Sequence, residues 1–298
     1  MVVGGTAAGN GTVRIVHLSD LHFGGHVDLL QIEALEEFLP SLEPDAVVVS
    51  GDVSQRARHG EFQRARAFVL GARKVAPTLV VPGNHDVQWW VSPLGVRGER
   101  PKFAKYRIYM GEDLTPVLTV PGAVIAGALS AHGLSLGSLT WNLRDLTVKG
   151  HLPRSETDRV AQVFAQAPAG AARVLVLHHN VLPGKISQRM GLAHWRDAQR
   201  RIDSLAPDVI LCGHDHEEAA DQLHGRLAVS ASGTHSSRMR GGRPSVFNLV
   251  RIDRQAVHIQ HYRWEAGTSR FMPADTASFA RHRTDHAVVS VAGGEEEL

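Results

Sequence analysis

Cysteine is nearly absent. The single residue, Cys212, excludes an intramolecular disulfide framework and any thiolate metal cluster. No apolar run approaches the ~20 residues of a membrane-spanning helix. Neither sign of charge is in excess, since 32 Lys and Arg against 30 Asp and Glu leave a formal +2. That balance argues against a dedicated nucleic-acid surface or a polybasic membrane binder. Residues 1–12 contain no Lys or Arg and no continuous apolar stretch, so they lack the parts of a secretory signal. They read as a flexible leader, and with the missing cysteine pairs they point to a cytoplasmic protein.

Histidine, by contrast, is abundant, at 18 residues of 298. Without thiolates, any metal chemistry must use imidazole and carboxylate, donors that suit zinc, iron, manganese or nickel better than copper(I) or iron–sulfur clusters. The 43% hydrophobic and 21% charged content is that of an ordinary globular chain. The length allows one large domain or two small ones.

Short Val/Ile/Leu-rich runs predict strands at Arg14–Ser19, Ala46–Ser50, Thr78–Val81, Ala123–Ala128, Arg173–Leu177 and Asp208–Cys212. Continuous apolar runs of this length fit strands covered on both faces. Amphipathic segments between them predict helices at Leu29–Leu39, Gly60–Ala72 and Ser155–Gln166, the last with a capping-box pattern at its start. Strands alternating with helices imply βαβ units and a mostly parallel α/β core. The last third differs. Leu227–Ser232, Ser245–Ile252 and Ala256–Trp264 have period-two character with no helix between them, which suggests an antiparallel meander in a second sheet. The domain is expected to span residues 13–265. Residues 266–298 read as a partly disordered extension, with a covering helix around Ala274–Ala280.

The chemistry lies at the strand ends. They read Asp20-Leu21-His22, Gly51-Asp52, Gly83-Asn84-His85-Asp86, His178-His179-Asn180 and Gly213-His214-Asp215-His216. Asp20 to Asp52 and Asp52 to Asn84 are each 32 residues apart, and His178 to His214 is 36. Each interval matches one βαβ step of roughly 30 residues. Parallel neighbours deliver their carboxyl ends to one edge of a sheet, where ligands bind in open α/β folds. Asp20, Asp52, Asn84, His178 and His214 should therefore converge. In an extended strand end, residues two apart share a side, so each Asp-x-His or His-x-His pair could approach one metal. Asp52, from the middle strand, could bridge two cations. Two ions ~3.5–4 Å apart clamp the attacking and leaving oxygens of phosphoryl transfer. Singly, Asp-x-His is weak and Gly51-Asp52 reads equally as a common tight turn, whereas Gly83-Asn84-His85-Asp86 and Gly213-His214-Asp215-His216 are moderately specific. Five in order, each at a strand end, are specific.

The ordered set resembles the calcineurin-like binuclear metallophosphoesterase superfamily from about Val13 to Trp264. The resemblance implies a four-layer αββα sandwich of two mixed sheets flanked by helices. It implies two divalent ions per chain, whether manganese, iron, zinc or cobalt. Asp20, His22 and His216 would bind one ion, Asn84, His178 and His214 the other, and Asp52 would bridge. The implied reaction is phosphoester hydrolysis by a two-metal-activated hydroxide, with His85 assisting the leaving group and Asp86 orienting the His85 ring.

Val53-Ser54-Gln55 after Asp52, and GNHD rather than GNHE, depart from the protein-phosphatase pattern. They are similar to the bacterial phosphodiesterase branch, including class III cyclic-nucleotide phosphodiesterases, as is the run Ser232–Arg238 with Arg240 and Arg243. The implied substrate is a small phosphodiester such as a cyclic nucleotide. Against cyclic nucleotides, the fourth motif reads HHNV where those enzymes often have HHPP. A phosphomonoesterase uses the same inventory and stays open. A non-catalytic scaffold is disfavoured, because all seven ligand positions and His85 are intact.

His179 is expected on the opposite side of its strand from His178. Trp89 and Trp90 are expected to pack in the core rather than stack a substrate ring. Lys185, Arg189, His194 and Trp195 belong to a long connection that could cover the site. Cys212 reads as a small core residue.

Overall fold

The computed structural model describes residues 11–25, 27–88, 90–92, 100–133, 149–236 and 244–281. Two six-stranded sheets pack face to face. The first contains β1 (Val13–Leu18), β2 (Ala46–Val49), β3 (Thr78–Val80), β10 (Val246–Ile252), β11 (Ala256–Glu265) and β12 (Arg270–Ala280), in the order β12-β11-β10-β1-β2-β3. Its β1-β2-β3 part is parallel and the rest antiparallel. The second contains β4 (Val117–Val120), β5 (Ala123–Gly127), β6 (Ala172–Val176), β7 (Val209–Cys212), β8 (Ala219–Leu223) and β9 (Leu227–Ala231), in the order β4-β5-β6-β7-β9-β8. There β5, β6, β7 and β9 run parallel, and β4 and β8 are antiparallel edges.

Period two decides the layers. In β1, Val13 and Ile15 face the second sheet and join Val48, Val174, Val176, Leu211, Val250 and Ile259 in an aliphatic layer. Val16 and Leu18 face the other way. They pack with Leu35 of α1 (Leu29–Phe38), Phe62 and Phe68 of α2 (His59–Val75) and Tyr106 of α3 (Ala104–Met110). On the far side, Val160 and Phe164 of α4 (Arg154–Ala165) and Ile202 of α5 (Trp195–Leu205) cover Leu175 and Ile210. The result is the expected αββα sandwich.

Four expectations are corrected. The late strands include the expected antiparallel meander, now β10, β11 and β12, but it lies in the first sheet and β9 is not part of it. β9 pairs parallel with β7 in the second sheet, while β10, β11 and β12 extend the first sheet from β1. Segment 274–280 is strand, not helix. β12 runs along β11 with a register shift at Gln260/Tyr262. Such a bulge lets one strand change faces, so Phe271 packs with the helix-side core and Phe279 against the aliphatic layer. The sheet therefore continues past residue 265, where the polar composition suggests the domain ends. Finally, α4 begins after Pro153 with no side-chain cap. Ser155, expected as the cap with Asp158 three residues on, lies inside the helix, and Glu156 in the first turn accepts the Leu129 amide at 3.1 Å. Residues 1–10 and 282–298 lie outside the described residues.

Candidate metal centre

The parallel strands of both sheets end at one place. β1 leads into Ser19–His22, β2 into Ser50–Asp52, β3 into a 3-10 turn at Asn84–Asp86, β6 into His178 and His179, and β7 into Gly213–His216. Convergence thus holds, but across two facing sheets rather than along one edge. The pairing of β1 with β2 outlasts the strands: Asp20 N–H donates to Gly51 O (3.0 Å), His22 N–H to Asp52 O (2.9 Å) and Phe23 N–H to Val53 O (2.9 Å).

Five of the seven candidate ligands have left-handed backbone. The φ values are 54° for Asp20, 48° for His22, 53° for Asp52, 78° for His214 and 57° for His216. The expectation that Asp-x-His pairs share a side through extended backbone is therefore corrected. The chain turns these side chains inward with a conformation costing about 1–2 kcal/mol per non-glycine residue, which persists where the surroundings over-determine it. Glycine makes the close approach possible: a Cβ on Gly213 would lie 1.8 Å from Ser19 Oγ and 2.5 Å from Asp20 Oδ2.

The donors fall into two sets. In the first, His216 Nε2 is 3.2 Å from Asp20 Oδ1 and 2.9 Å from His22 Nε2. In the second, Asn84 Oδ1 is 3.0 Å from both His178 Nε2 and His214 Nδ1. Asp52 Oδ2 lies between them, 3.4 Å from His178 Nε2 and 3.8 Å from His22 Nε2. Burial alone would raise the Asp20 and Asp52 carboxyls. The imidazoles outweigh it, His216 foremost for Asp20 and His178 foremost for Asp52, and hold both well below the carboxylate range. Burial would lower His178, but Asp52 and Asp20 raise it to about 9. Burial and the nearby His178 push His214 down to about 3.

This donor set fits cations. Two buried carboxylates are matched by imidazole nitrogens that converge on one another. Asp20 Oδ1 is buried with only the His216 and His22 imidazoles against it, and among the described residues His22 Nδ1 is buried without a hydrogen-bond partner. Groups of mutually close donors are Asp20, His22 and His216; Asp20, Asp52 and His178; His22, Asp52 and His85; and His178, His179 and His214.

His85 donates its backbone N–H to Asp52 Oδ1 at 2.8 Å, and its ring stands edge-on to His22 at 4.9 Å. The expected role of Asp86 is corrected. Its carboxylate accepts from the Gly83, Val53 and Ser54 amides and from Ser54 Oγ, so it clamps the β2 and β3 loops together. The His85 ring is oriented instead by the Gln55 carbonyl, 2.8 Å from Nδ1, a backbone contact with no signal in the sequence. His179 is also corrected. β6 stops at Val176, so strand alternation no longer governs residues 178 and 179. The His179 ring lies 4.5 Å from that of His214, with Nδ1 2.9 Å from Ser130 Oγ.

Trp90 is exposed rather than in the core, and Trp89, Arg238, Arg240 and Arg243 lie outside the described residues. In the connection carrying Lys185 and Arg189, the Glu217 carboxylate accepts the Ile186 and Ser187 amides and so fixes the turn. His194 and Trp195 open α5. Cys212 is buried, and burial pushes its thiol up to about 12, so it is inert as a nucleophile.

Two mixed sheets carrying a paired His/Asp cluster at their strand ends define a metal-dependent hydrolase of phosphoester bonds. The chain belongs to the calcineurin-like phosphoesterase family, which matches over residues 13–218. It is 40% identical over 227 residues to the glycerophosphodiester phosphodiesterase GpdQ of Enterobacter lignolyticus, covering 68% of this chain and 70% of that protein. Among solved structures it is similar to the purple acid phosphatase PPD1 of yellow lupin (TM-score 0.64, 11% identity, 92% of this chain). It spans about half, 54%, of the lupin chain. A dimetal phosphatase of Danio rerio also superposes (TM-score 0.59, 12% identity, 91% of this chain and 99% of that one). These two likenesses concern the fold. The family and the clusters together suggest a dinuclear divalent metal site. No helix among the described residues is long and apolar enough to cross a membrane.

Proposed function

We propose that the protein is a binuclear phosphodiesterase. In this reading Asp20, His22 and His216 hold one divalent ion, Asn84, His178 and His214 the other, and Asp52 both. The observation that carries it is the place of Asp52 Oδ2, between His178 Nε2 of one donor set and His22 Nε2 of the other. Such ions, when bound, neutralise phosphate charge and make a water nucleophilic near neutral pH. The ligand set suits manganese, iron, zinc or cobalt.

The chain's own residues supply position and protons. His85 commits Nδ1–H to the Gln55 carbonyl, which fixes the ring and makes Nε2 the atom that protonates the departing alkoxide. Asp86 holds the Gly83 and Ser54 amides, which keeps His85 and Asp52 in mutual register. The likeness to a glycerophosphodiester phosphodiesterase favours a diester over a monoester, and a glycerophosphodiester over a cyclic nucleotide. The catalytic domain runs from residue 13 through β12, and the near-absence of cysteine supports a cytoplasmic setting.

The test compares hydrolysis of bis-p-nitrophenyl phosphate and p-nitrophenyl phosphate before and after metal stripping. Stripping should abolish activity, manganese should restore it, and the diester should be the faster substrate. His85→Ala should keep both metals and lower turnover by roughly 10²–10⁴-fold. Full activity in stripped protein, or a clear monoester preference, overturns the reading.

A further inference from the structure

The proposed centre straddles the gap between the sheets. Asp20, His22, Asp52 and Asn84 come from the first sheet, and His178, His214 and His216 from the second. Its geometry therefore depends on how far apart the sheets sit. Most of what separates them is the aliphatic layer of Val13, Ile15, Val48, Val174, Leu211 and Val250. Aliphatic packing is non-directional, and such cores lose uniqueness before they lose stability. Metal ligands need placement within ~0.5 Å.

The layer changes character beside the centre. On β1 the inward face reads Val13, Ile15, then His17. On β2 it continues from Ala46 and Val48 to Ser50. On β10 it reads Ile252, Val250, then Asn248, on β11 Val257, Ile259, then His261, and on β9 Ala228, then Ser230. His17, Asn248 and His261 are direct register partners across three strands. His17, Ser50, Ser230 and Asn248 are completely buried.

Their hydrogen bonds run in a single sense. The Asn248 carbonyl oxygen accepts from His261 Nδ1 at 2.7 Å. Asn248 Nδ2 donates to Ser230 Oγ at 2.9 Å and to Ala231 O at 2.9 Å. Ser230 Oγ, already accepting, gives its proton to His17 Nδ1 at 2.9 Å. His17 Nε2–H then donates to Ser50 Oγ at 3.0 Å, whose proton goes to Leu18 O at 3.4 Å. The amide fixes its own roles, and the assignment that gives both serine hydroxyl protons an acceptor is a neutral His17 protonated on Nε2. Burial pushes His17 down to about 3, which keeps it neutral. The chain ends at the centre, because the Ser50 carbonyl accepts Nδ1–H of His178 at 2.9 Å. Beside it Ser19 Oγ donates to Asp20 Oδ2 at 2.6 Å.

We propose that His17, with Ser50, Ser230 and Asn248, is a positioning device that fixes the separation of the two sheets and thereby the spacing of the two halves of the metal centre. His17 and Asn248 on the first sheet both grip Ser230 of β9 on the second. The Ser50 end of the same chain holds His178 through its carbonyl. The network acts on the ligands without touching a metal or a substrate, and it is directional where the aliphatic layer is not. The inference rests on the two-metal reading above.

The test measures stepwise manganese dissociation constants of metal-stripped protein, the exchange-coupled spectrum of the bound pair by electron paramagnetic resonance, and the thermal midpoint. His17→Leu should weaken manganese binding about 10–100-fold, the usual loss for partners behind the ligands, and diminish the coupled spectrum. His17→Gln keeps a donor towards Ser50 and should recover part of both. Ile15→Val, one step deeper on the same face, should lower the midpoint yet leave affinity within about threefold, since it removes no directional contact. If His17→Leu does not fold, Ser230→Ala, which removes one hydroxyl, is judged by the same criteria. Wild-type affinity and spectrum in the network variants, or an equal loss in Ile15→Val, overturn the inference alone. A wild-type chain that binds fewer than two manganese ions overturns the two-metal reading and this inference with it.

Discussion

Gly83→Ala is a sharp test of how tightly the centre is built. Gly83 has φ −98° and ψ −178°, extended backbone that any residue adopts, so space and not conformation requires glycine. A Cβ there would lie 2.1 Å from Asp52 Oδ1 and 2.3 Å from Asp52 N, whereas ordinary contact begins near 3.4 Å. Asp52 would have to retreat by about 1 Å, backbone and carboxylate together. Both are held, since His22 N–H donates to Asp52 O and His85 N–H to Asp52 Oδ1. Overpacking of this kind costs about 1–3 kcal/mol of stability. A misplacement of about 1 Å at a reacting centre costs about 10²-fold in rate. Denaturant unfolding and turnover of bis-p-nitrophenyl phosphate at saturating manganese should show both losses, and excess manganese should not repair the second. Gly60→Ala is the control: its Cβ meets nothing within 4 Å near the start of α2, so stability should hold or rise with turnover unchanged. Wild-type turnover in Gly83→Ala would mean that Asp52 has room to move, and the argument for a tightly held bridging carboxylate would fail.

Two further outcomes are expected. His178→Ala should lose about one manganese per chain by elemental analysis, while His179→Ala retains two and changes the rate less; the reverse would move the ligand role to His179. His17 and His235, pushed by burial from 6.5 to about 3 and about 4, stay neutral when folded but bind protons when unfolded. The contribution of these two histidines should therefore rise with pH between about 4 and 6.5 and level off above, with unfolding at pH 5 taking up about one proton, or roughly 1.4 kcal/mol per pH unit, for each of them. Urea midpoints that stay flat from pH 5 to 7 would contradict it.

Much of the fold is legible in the sequence because parallel strands buried on both faces leave continuous apolar runs, such as Val47-Val48-Val49 and Val174-Leu175-Val176. What stays hidden follows from weak signals. β4 and β8 are edge strands with exposed, mixed residues. β12 changes faces at a bulge, which breaks the period that would mark Arg270–Ala280 as strand. The partner of each strand is a non-local choice. Nothing in Val246–Ile252 distinguishes pairing with β1 from pairing within a second sheet.

The site divides along the same line. Which residues converge can be read from strand ends and spacing, because a strand's last apolar residue marks where its chain emerges. How they point cannot. Asp20, His22, Asp52, His214 and His216 are turned inward by left-handed backbone, a conformation routine only for glycine and, less often, Asn or Asp. Histidine at three of these positions runs against local preference. Such local conflicts concentrate at functional sites, and here the conflict has a physical use. In an extended strand end, Asp20 and His22 would project from one face and could not close around a shared point with His216 across the sheet gap. Turning the backbone at each donor brings the Asp20 carboxylate and the His22 and His216 imidazoles from both sheets to separations of 2.9, 3.2 and 3.6 Å. The glycines beside them, Gly51, Gly83 and Gly213, supply the clearance that this convergence consumes, each having a cluster residue or its neighbour where a Cβ would sit. The motif glycines and the motif ligands are therefore one requirement: the donors can turn inward only where the next strand's backbone leaves room for them.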